Sequence, residues 1–287
     1  MKKLITVIIP SYKSGKLIIS HLKKISKKIN IIVVENSGDI KLKKEIEKKY
    51  KNTKIYLQKN IGYGRAINFG ANYVKTKYFF VMNPDTVIYK DTLQKLINLA
   101  EKIKNFGMIC PEHIENKKKK NSKIVEKSES LIGLTAGAMI FKTKIFKKLK
   151  GFDENIFLYY EDNDYFKKCI LNGYNLYIAK NSFHYHKKKN SSSAIYKNIE
   201  EKNYFKLIAG WHGQWSKFYF HKKYDGYFSA LLKNVPKMIL MIIQLTINLF
   251  FNFSKAKYIY FRIEGLTSSI IGLPSFKRSK FDQKKLS

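Results

Sequence analysis

Leu4–Ile9 is a β-branched apolar run that stops at Pro10-Ser11-Tyr12, the pattern of a buried strand feeding a loop. Lys16–Lys28 then reads as a helix, and Ile29–Val34 repeats the buried-strand signature before Glu35-Asn36-Ser37-Gly38 breaks it. Lys41–Lys49 follows as a charged helix, Lys54–Leu57 as a third strand, Arg65–Val74 as a helix and Tyr78–Met82 as a fourth strand. This alternation predicts βαβ units, and so an α/β fold whose mostly parallel sheet carries helices on both faces. Such sheets bind ligands beyond the carboxyl ends of their strands. Polar residues stand there after three of the four strands: Ser11-Tyr12, Glu35-Asn36 and Asn83-Pro84-Asp85.

After Asp85 the pattern changes. Asp91 is placed to cap a helix running to about Lys104, whereas Glu115–Lys127 is polar, holds a four-lysine run and shows no apolar period, so it predicts a mobile excursion. Leu131–Phe141 is apolar, with Gly133 and Gly137. The acidic cluster Asp153-Glu154 then Glu161-Asp162-Asn163-Asp164 leads into a helix to Leu171, and His184-Tyr185-His186 with the Lys187–Ser193 tract closes this region. From about Ala194 the chain is aromatic and basic. Met238–Ser254 is a run of 17 residues without formal charge, at the lower limit for a membrane span. On a helix Lys233, Lys237, Gln244, Asn248, Asn252 and Lys255 fall in a polar stripe roughly 100° wide. That favours a helix lying in a membrane interface with its lysines toward anionic headgroups. Packing on the rest of the chain or in a homo-oligomer, and a true span, stay open.

Composition narrows the partners. The 287 residues hold 56 Lys+Arg against 21 Asp+Glu, a net charge of +35, yet 45% are hydrophobic, which demands a packed core. Only Arg65, Arg262 and Arg278 are arginines, which counts against sequence-specific nucleic-acid readout by guanidinium forks. The lysine field suits nucleotide phosphates and acidic lipid surfaces. Cys110 and Cys169 lie 59 positions apart and form neither a zinc framework nor a disulfide scaffold, in keeping with a reducing cytoplasm. The apolar run after Met1-Lys2-Lys3 is cut short by Pro10 with no small-residue cleavage site, so it reads as the first strand and not as a signal peptide.

Several residues are candidates for chemistry. Asp85, on a loop at the ligand-binding edge, suits Mg²⁺ or Mn²⁺ holding a diphosphate, although an acid after Asn-Pro is also an ordinary turn former. Glu161 and Asp164 share a helix face while Asp162 points elsewhere, so the acids divide their tasks; one could be a general base for an acceptor hydroxyl. First-turn acids also complement the helix dipole. His184 and His186 alternate along a strand, so at most one faces the site, where an imidazole could complete a metal site with Asp85. Asn60-Ile61-Gly62-Tyr63-Gly64-Arg65 joins a Gly-x-Gly turn to a helix start, where backbone N–H groups and Arg65 could meet a phosphate. It has neither the spacing of a dinucleotide fingerprint nor a P-loop.

Taken in order, these segments resemble the family-2 glycosyltransferases of the GT-A (nucleotide-diphospho-sugar transferase) fold, especially their rhamnosyltransferase-like branch. Val7–Tyr12 resembles the opening strand motif and Val33–Ser37 the second-strand motif, with Glu35 where the family has Asp. Asn60–Gly70 is similar to the N-x-G-[FY]-[AG]-x-[AG]-x-N-x-G segment, and Met82–Asp85 stands where the family carries its DxD metal motif, with Asn83 in place of the first Asp. Gly137–Ile140, Gly151–Glu154 and Phe157–Asp164 resemble the acceptor-side block. The resemblance covers roughly Leu4–Ser193. It implies a catalytic domain over 1–193, with a nucleotide-sugar half to about 90 and an acceptor half over 91–193, followed by a helical, amphipathic extension over 194–287. Pro10, Tyr12 and Glu35 would then line the base and ribose pocket, and Asn60, Gly64, Arg65 and Asn83 would bound the sugar and phosphates. Asp85 would bind Mg²⁺ or Mn²⁺ with His186, or His184, as its distal partner. Asp162 would be the base, Glu161 the alternative. The implied activity is inverting transfer from a UDP- or dTDP-sugar to a glycan or lipid-linked acceptor, in bacterial cell-surface polysaccharide synthesis at the cytoplasmic face of the membrane. A non-catalytic basic adaptor for membranes or RNA competes with it but does not explain carboxylates at consecutive strand ends. A nucleotidyltransferase would want a Gly- and Arg-rich phosphate loop that Ser11–Lys16 does not supply.

Overall fold

The computed structural model describes residues 4–25, 27–114, 125–128, 137–186 and 198–282. The chain forms two compact units: one of Met1–Ile61, Arg65–Phe152 and Tyr165–Ile195, the other of Gly62–Gly64, Asp153–Asp164 and Tyr196–Ser287.

The first unit is built on a nine-stranded sheet. Strands β1 (Ile5–Ser11), β2 (Asn30–Glu35), β3 (Thr53–Leu57) and β4 (Tyr78–Met82) run parallel in the order β3-β2-β1-β4, linked by α1 (Gly15–Leu22), α2 (Ile40–Lys49) and α3 (Tyr63–Asn72). Period-two alternation splits the apolar runs between two faces. Ile5, Val7, Ile9, Ile31, Val33, Tyr78 and Phe80 join one core with Ile18, Leu22, Leu42 and Ile46 of α1 and α2. On the other face Phe79 stacks on Phe141, within an aromatic cluster completed by Phe146, Phe152 and Tyr165. Beyond β4 the sheet is mixed. β5 (Thr86–Ile88), β6 (Phe106–His113), β7 (Glu126–Ser128), β8 (Ala138–Lys142) and β9 (Asn175–His186) extend it; β8 runs antiparallel to both β4 and β6, and β6 pairs parallel with β9. The parallel character therefore belongs to the first four strands. Helices α4 (Thr92–Lys102), α5 (Thr143–Lys148) and α6 (Glu161–Leu171) complete the α/β part.

The elements expected up to Met82 all form, with shifted ends. α1 stops at Leu22, and Lys24 and Ile25 turn back to bond the His21 carbonyl. Asp91 occupies the N-cap of α4 without a capping hydrogen bond from its side chain. Residues 115–124 of the expected excursion lie outside the described residues, as do 131–136 and the 187–193 tract. Glu126 and Lys127, read as the end of that excursion, instead form with Ser128 a short strand on β9, where Lys180 pairs with Glu126 at 3.1 Å and Glu112 at 3.2 Å.

The second unit contains three long helices: α7 (Ile199–Asp225), α8 (Tyr227–Phe251) and α9 (Phe253–Ile270). Leu207, Ile208, Trp211, Trp215 and Phe261 form one core; Phe218, Ala230, Met241, Ile259 and Leu266 form another. The polar stripe read along one helix is divided. α8 ends at Phe251, and Asn252 caps the next helix by accepting from the Lys255 N–H at 3.0 Å. Asn248 and Asn234 lie on the inward face with Ala230 and Met241, while Phe228, Leu232, Leu240, Ile243, Ile247, Phe250 and Phe251 are exposed. The outward face of α8 is therefore the apolar one.

Candidate functional site

In the first unit β1 outruns β4. The β1–β4 ladder ends at Ile8↔Val81, whereas β1 pairs with β2 as far as Ser11↔Glu35. Pro10, with no N–H to donate, sits where β1 has a neighbour on one side only, which is where a strand tolerates proline. The order reverses at β1, so the ends of β1 and β4 define the switch-point crevice at which such sheets bind ligands. Ser11 is buried there and its hydroxyl has no hydrogen-bond partner among the described residues. Tyr12 follows on the loop, half-buried, with the Lys13 ammonium 4.9 Å from its ring centre. Glu35 is wholly buried. Its carboxylate accepts from the Ser37 N–H (2.9 Å), the Ser37 hydroxyl (2.6 Å) and the Asp39 N–H (3.0 Å), so it braces the turn after β2 from within.

Asn83-Pro84-Asp85 forms a turn closed by the Thr86 N–H on the Asn83 carbonyl at 3.0 Å. Gly137 fixes this turn: its carbonyl accepts from the Asn83 N–H and from the Thr86 hydroxyl, both at 2.9 Å. The His21 ring meets the Pro84 carbonyl at 2.7 Å. Asn83 and Asp85 are half-buried. The antiparallel register of β5 and β9 sets His186 opposite Thr86 and His184 opposite Ile88, so His186 is the histidine beside the Asp85 turn. The His184 side chain is buried, with its ring centre 5.1 Å from that of His113. Among the described residues no group of three or more His, Cys, Asp or Glu side chains converges as a metal cage.

Asn60 lies in the loop between β3 and α3, and Arg65 lies half-buried on the first turn of α3. Asn68 fastens this helix to the acceptor-side motif: its amide donates to the Phe152 carbonyl and its oxygen accepts from the Phe152 N–H, both at 2.9 Å. Gly151 permits this, because its φ is +59° and a Cβ there would strike the Asn68 side chain.

In the second unit the segment before α6 is clamped. The Phe157 carbonyl accepts from the Tyr63 N–H at 3.3 Å, and a Cβ on Gly62 (φ +92°) would collide with that carbonyl; Gly64 is buried. The Arg278 guanidinium lies 3.7 Å over the Phe157 ring, and the Ser216 hydroxyl donates to the Leu158 carbonyl at 2.9 Å. Tyr159 and Tyr160 follow at φ +65° and +66°, consecutive left-handed residues whose strain of roughly 1–3 kcal/mol each the clamp must hold. They deliver the acids into three environments. Glu161 is buried, with one carboxyl oxygen lacking any partner among the described residues; burial, then the neighbouring Asp162, pushes it up to about 8. Asp162 is half-buried. Burial raises it too, opposed by the Asn163 N–H that it accepts at 2.8 Å. Asp164 is fully buried and bound by the Lys223 ammonium at 2.5 Å and the Tyr224 hydroxyl at 2.9 Å. The rise of Glu161 favours its protonated form at neutral pH, and Asp164 is held by the Lys223 ammonium. Asp162 is the acid of the three left with an elevated basicity and access to solvent.

Lys223 also reaches Asp153 at 2.7 Å, where Tyr219 donates at 3.0 Å. Burial raises Asp153, but Lys223, the Asn155 N–H and Tyr219 outweigh it and hold the carboxyl below its usual range. Sequence reasoning missed Lys223, Tyr219 and Tyr224. The i,i+4 spacing of Tyr219 and Lys223 on α7 was visible, but nothing local joined these residues to acids 59 to 70 residues earlier. His21 was missed for the same reason.

These architectures have counterparts. The chain is 28% identical over 191 residues to an uncharacterized glycosyltransferase of Rickettsia typhi, an alignment taking in 58% of this chain; the chain spans 58% of that protein's length. Among solved structures it is similar to the mannosyltransferase PcManGT from Pyrobaculum calidifontis in complex with GDP-Man and Mn²⁺, with a TM-score of 0.54 at 13% identity over 93% of this chain and 86% of that one. It is also similar to S. aureus TarS in complex with UDP, with a TM-score of 0.51 at 15% identity over 94% and 92%. At such identities these two show the fold, GT-A. The family model for glycosyl transferase family 2 matches residues 6–168, more than half of the chain, and the protein belongs to that family.

Proposed function

We propose that the protein is an inverting glycosyltransferase that moves a sugar from a nucleoside-diphosphate donor to an acceptor hydroxyl, with Asp162 as general base. The observation that carries this reading is the sorting of the acids: a protonated Glu161, an ion-paired Asp164 and a solvent-accessible Asp162 of raised pKa. A raised pKa makes a carboxylate a stronger base toward a hydroxyl proton, and Asp162 combines it with access to solvent. Asp162 removes the proton as the acceptor oxygen attacks the anomeric carbon; the bond from that carbon to the diphosphate oxygen breaks on the opposite face and the diphosphate keeps the electron pair. One displacement inverts the centre. Pro10, Tyr12, Asn60, Gly64, Arg65 and Asn83 are proposed to line the donor, around the turn that Glu35 braces.

Asp85 and His186 are the residues that would hold a divalent ion. The register Thr86↔His186 brings an imidazole-bearing residue beside the Asp85 turn, and a carboxylate with an imidazole would suit Mn²⁺ or Mg²⁺. Such an ion supplies positive charge against the departing diphosphate. The neighbours in complex with UDP and with GDP-Man and Mn²⁺ support this reading. The outward apolar face of α8, with Lys255 and Lys257 just beyond its end, supports peripheral attachment to an anionic membrane. α8 is also the one helix among the described residues long and apolar enough to cross a membrane. A role in lipid-linked or surface glycan synthesis, with rhamnosyl transfer among the alternatives, fits that attachment.

The test is Asp162→Asn. The variant should remain folded, keep nucleotide binding and lose about a hundredfold or more in transfer rate. Unimpaired turnover rejects the assignment. In thermal-shift measurements one nucleoside diphosphate should stabilise the wild type only when Mn²⁺ is present.

A further inference from the structure

The second unit contains an open cleft of about 1010 Å³ between α7 and α9, away from the acids themselves. Five cationic side chains line it, Lys206, Lys255, Lys257, Arg262 and Lys280, against the single carboxylate of Glu200. Lys280 satisfies that carboxylate at 2.7 Å. Lys206, Lys255, Lys257 and Arg262 have no acidic partner among the described residues. Burying no counter-charge in a cleft already crowded with cations costs stability through self-repulsion, and an anion removes that cost. Tyr159, Tyr204 and Tyr258 form the aromatic part of the lining. Their ring faces with hydroxyl handles suit a saccharide, as the cations suit a phosphate.

Two features fix the direction of the cleft. Tyr159, one of the two strained residues, lies in its wall and precedes the proposed base Asp162 by three positions. Asn252, Ser254 and Lys255, also in the wall, follow directly on Phe250-Phe251, the exposed apolar end of α8. The cleft thus runs between the segment that carries the base and the point where the chain leaves its most apolar surface.

We propose that this cleft binds the phosphate-bearing end of the glycosyl acceptor, a saccharide phosphate or diphosphate carried on a lipid. The four unpaired cations hold the phosphate at headgroup level and the tyrosines orient the sugar. This names the acceptor class and rests on the glycosyl-transfer reading above.

Binding of glucose 1-phosphate and of glucose to the full chain is measured by calorimetry, with UDP and Mn²⁺ at saturation to block the donor crevice. Glucose 1-phosphate should bind and glucose should not. Lys206→Glu combined with Lys257→Glu, one from each wall, should weaken the sugar phosphate about tenfold or more, as loss of charge-assisted bonds does. Lys44→Glu with Lys48→Glu, the same charge change on exposed positions of α2, should leave it unaltered. Equal affinity for glucose, or equal losses in the two double variants, overturns the proposal, the latter by showing attraction to the overall field. Retention on phosphatidylglycerol vesicles that needs Lys206 and Lys257, with no binding of glucose 1-phosphate by the wild type, reassigns the cleft to bulk headgroups and overturns the acceptor assignment. Slow metal-dependent release of diphosphate from nucleotide sugars by the wild type is followed separately. Its absence counts against the transferase reading and leaves the sugar-phosphate result standing on its own.

Discussion

Replacing Glu161 by Gln tests the charge state on which the base assignment depends. Glu161 is buried and holds its proton to about pH 8, against an ordinary glutamate value of 4.5. A carboxyl whose folded pKa is raised contributes stability that is complete below 4.5 and is lost as the pH climbs toward 8, because over that window the unfolded chain releases a proton the folded chain keeps. Each pH unit is worth ~1.4 kcal/mol, so the two and a half units from 4.5 to pH 7 amount to about 3 kcal/mol. Gln has nearly the same shape and no proton to lose. Urea titrations of wild type and Glu161→Gln at pH 5, 6, 7 and 8 should therefore give stabilities that diverge, the variant gaining on the wild type by ~1 kcal/mol per unit. Asp162 is raised as well and acts in the same direction, and because the two carboxyls interact, the difference between the two proteins reports the proton that the pair retains. Parallel stability curves would refute the protonated state of Glu161 and with it the reason for preferring Asp162 as base. Transfer by the variant should stay within about tenfold of wild type, far above Asp162→Asn.

Lys223→Met removes the ammonium shared by Asp153 and Asp164 and leaves a fully buried carboxylate without its counter-ion, so thermal or urea unfolding should show a loss of about 3–5 kcal/mol. Gly62→Ala forces a Cβ toward the Phe157 carbonyl at φ +92° and should cost at least ~2 kcal/mol in the same assays. Phe250→Ser with Phe251→Ser removes two of the most exposed rings, 81% and 85% accessible, and should lower retention on phosphatidylglycerol vesicles while leaving the melting temperature within about two degrees. Unchanged vesicle retention would argue against α8 as the attachment face.

Much of the first unit was legible because its signal is local. Leu4–Ile9, Ile29–Val34 and Tyr78–Met82 are apolar runs with turn residues after them, and they form β1, β2 and β4. The loops that follow were expected as the ligand edge from the βαβ alternation. What stayed hidden depends on distant partners. Glu126–Ser128 has no strand signal of its own and pairs because Lys180 and β9 accept it. The inward turn of Asn234 and Asn248 reverses what the polar stripe suggests, since helical periodicity shows that two faces differ but not which one neighbouring helices will cover. The bracing of Glu35 by Ser37 and Asp39 was within reach, as all three lie in five residues. The fate of Asp164 was not, because Lys223 and Tyr224 decide it.

That dependence orders events during synthesis. A ribosome extends the chain from its N-terminus at roughly 5–20 residues per second, so Asp153 and Asp164 wait several seconds before Lys223 is made and clears the exit tunnel. Until then two carboxylates destined for the interior have no counter-ion, and water must solvate them. The ion pairs of Asp153 and Asp164 therefore close only once α7 has been made, and fragments ending before α7 should lack the clamp on this segment.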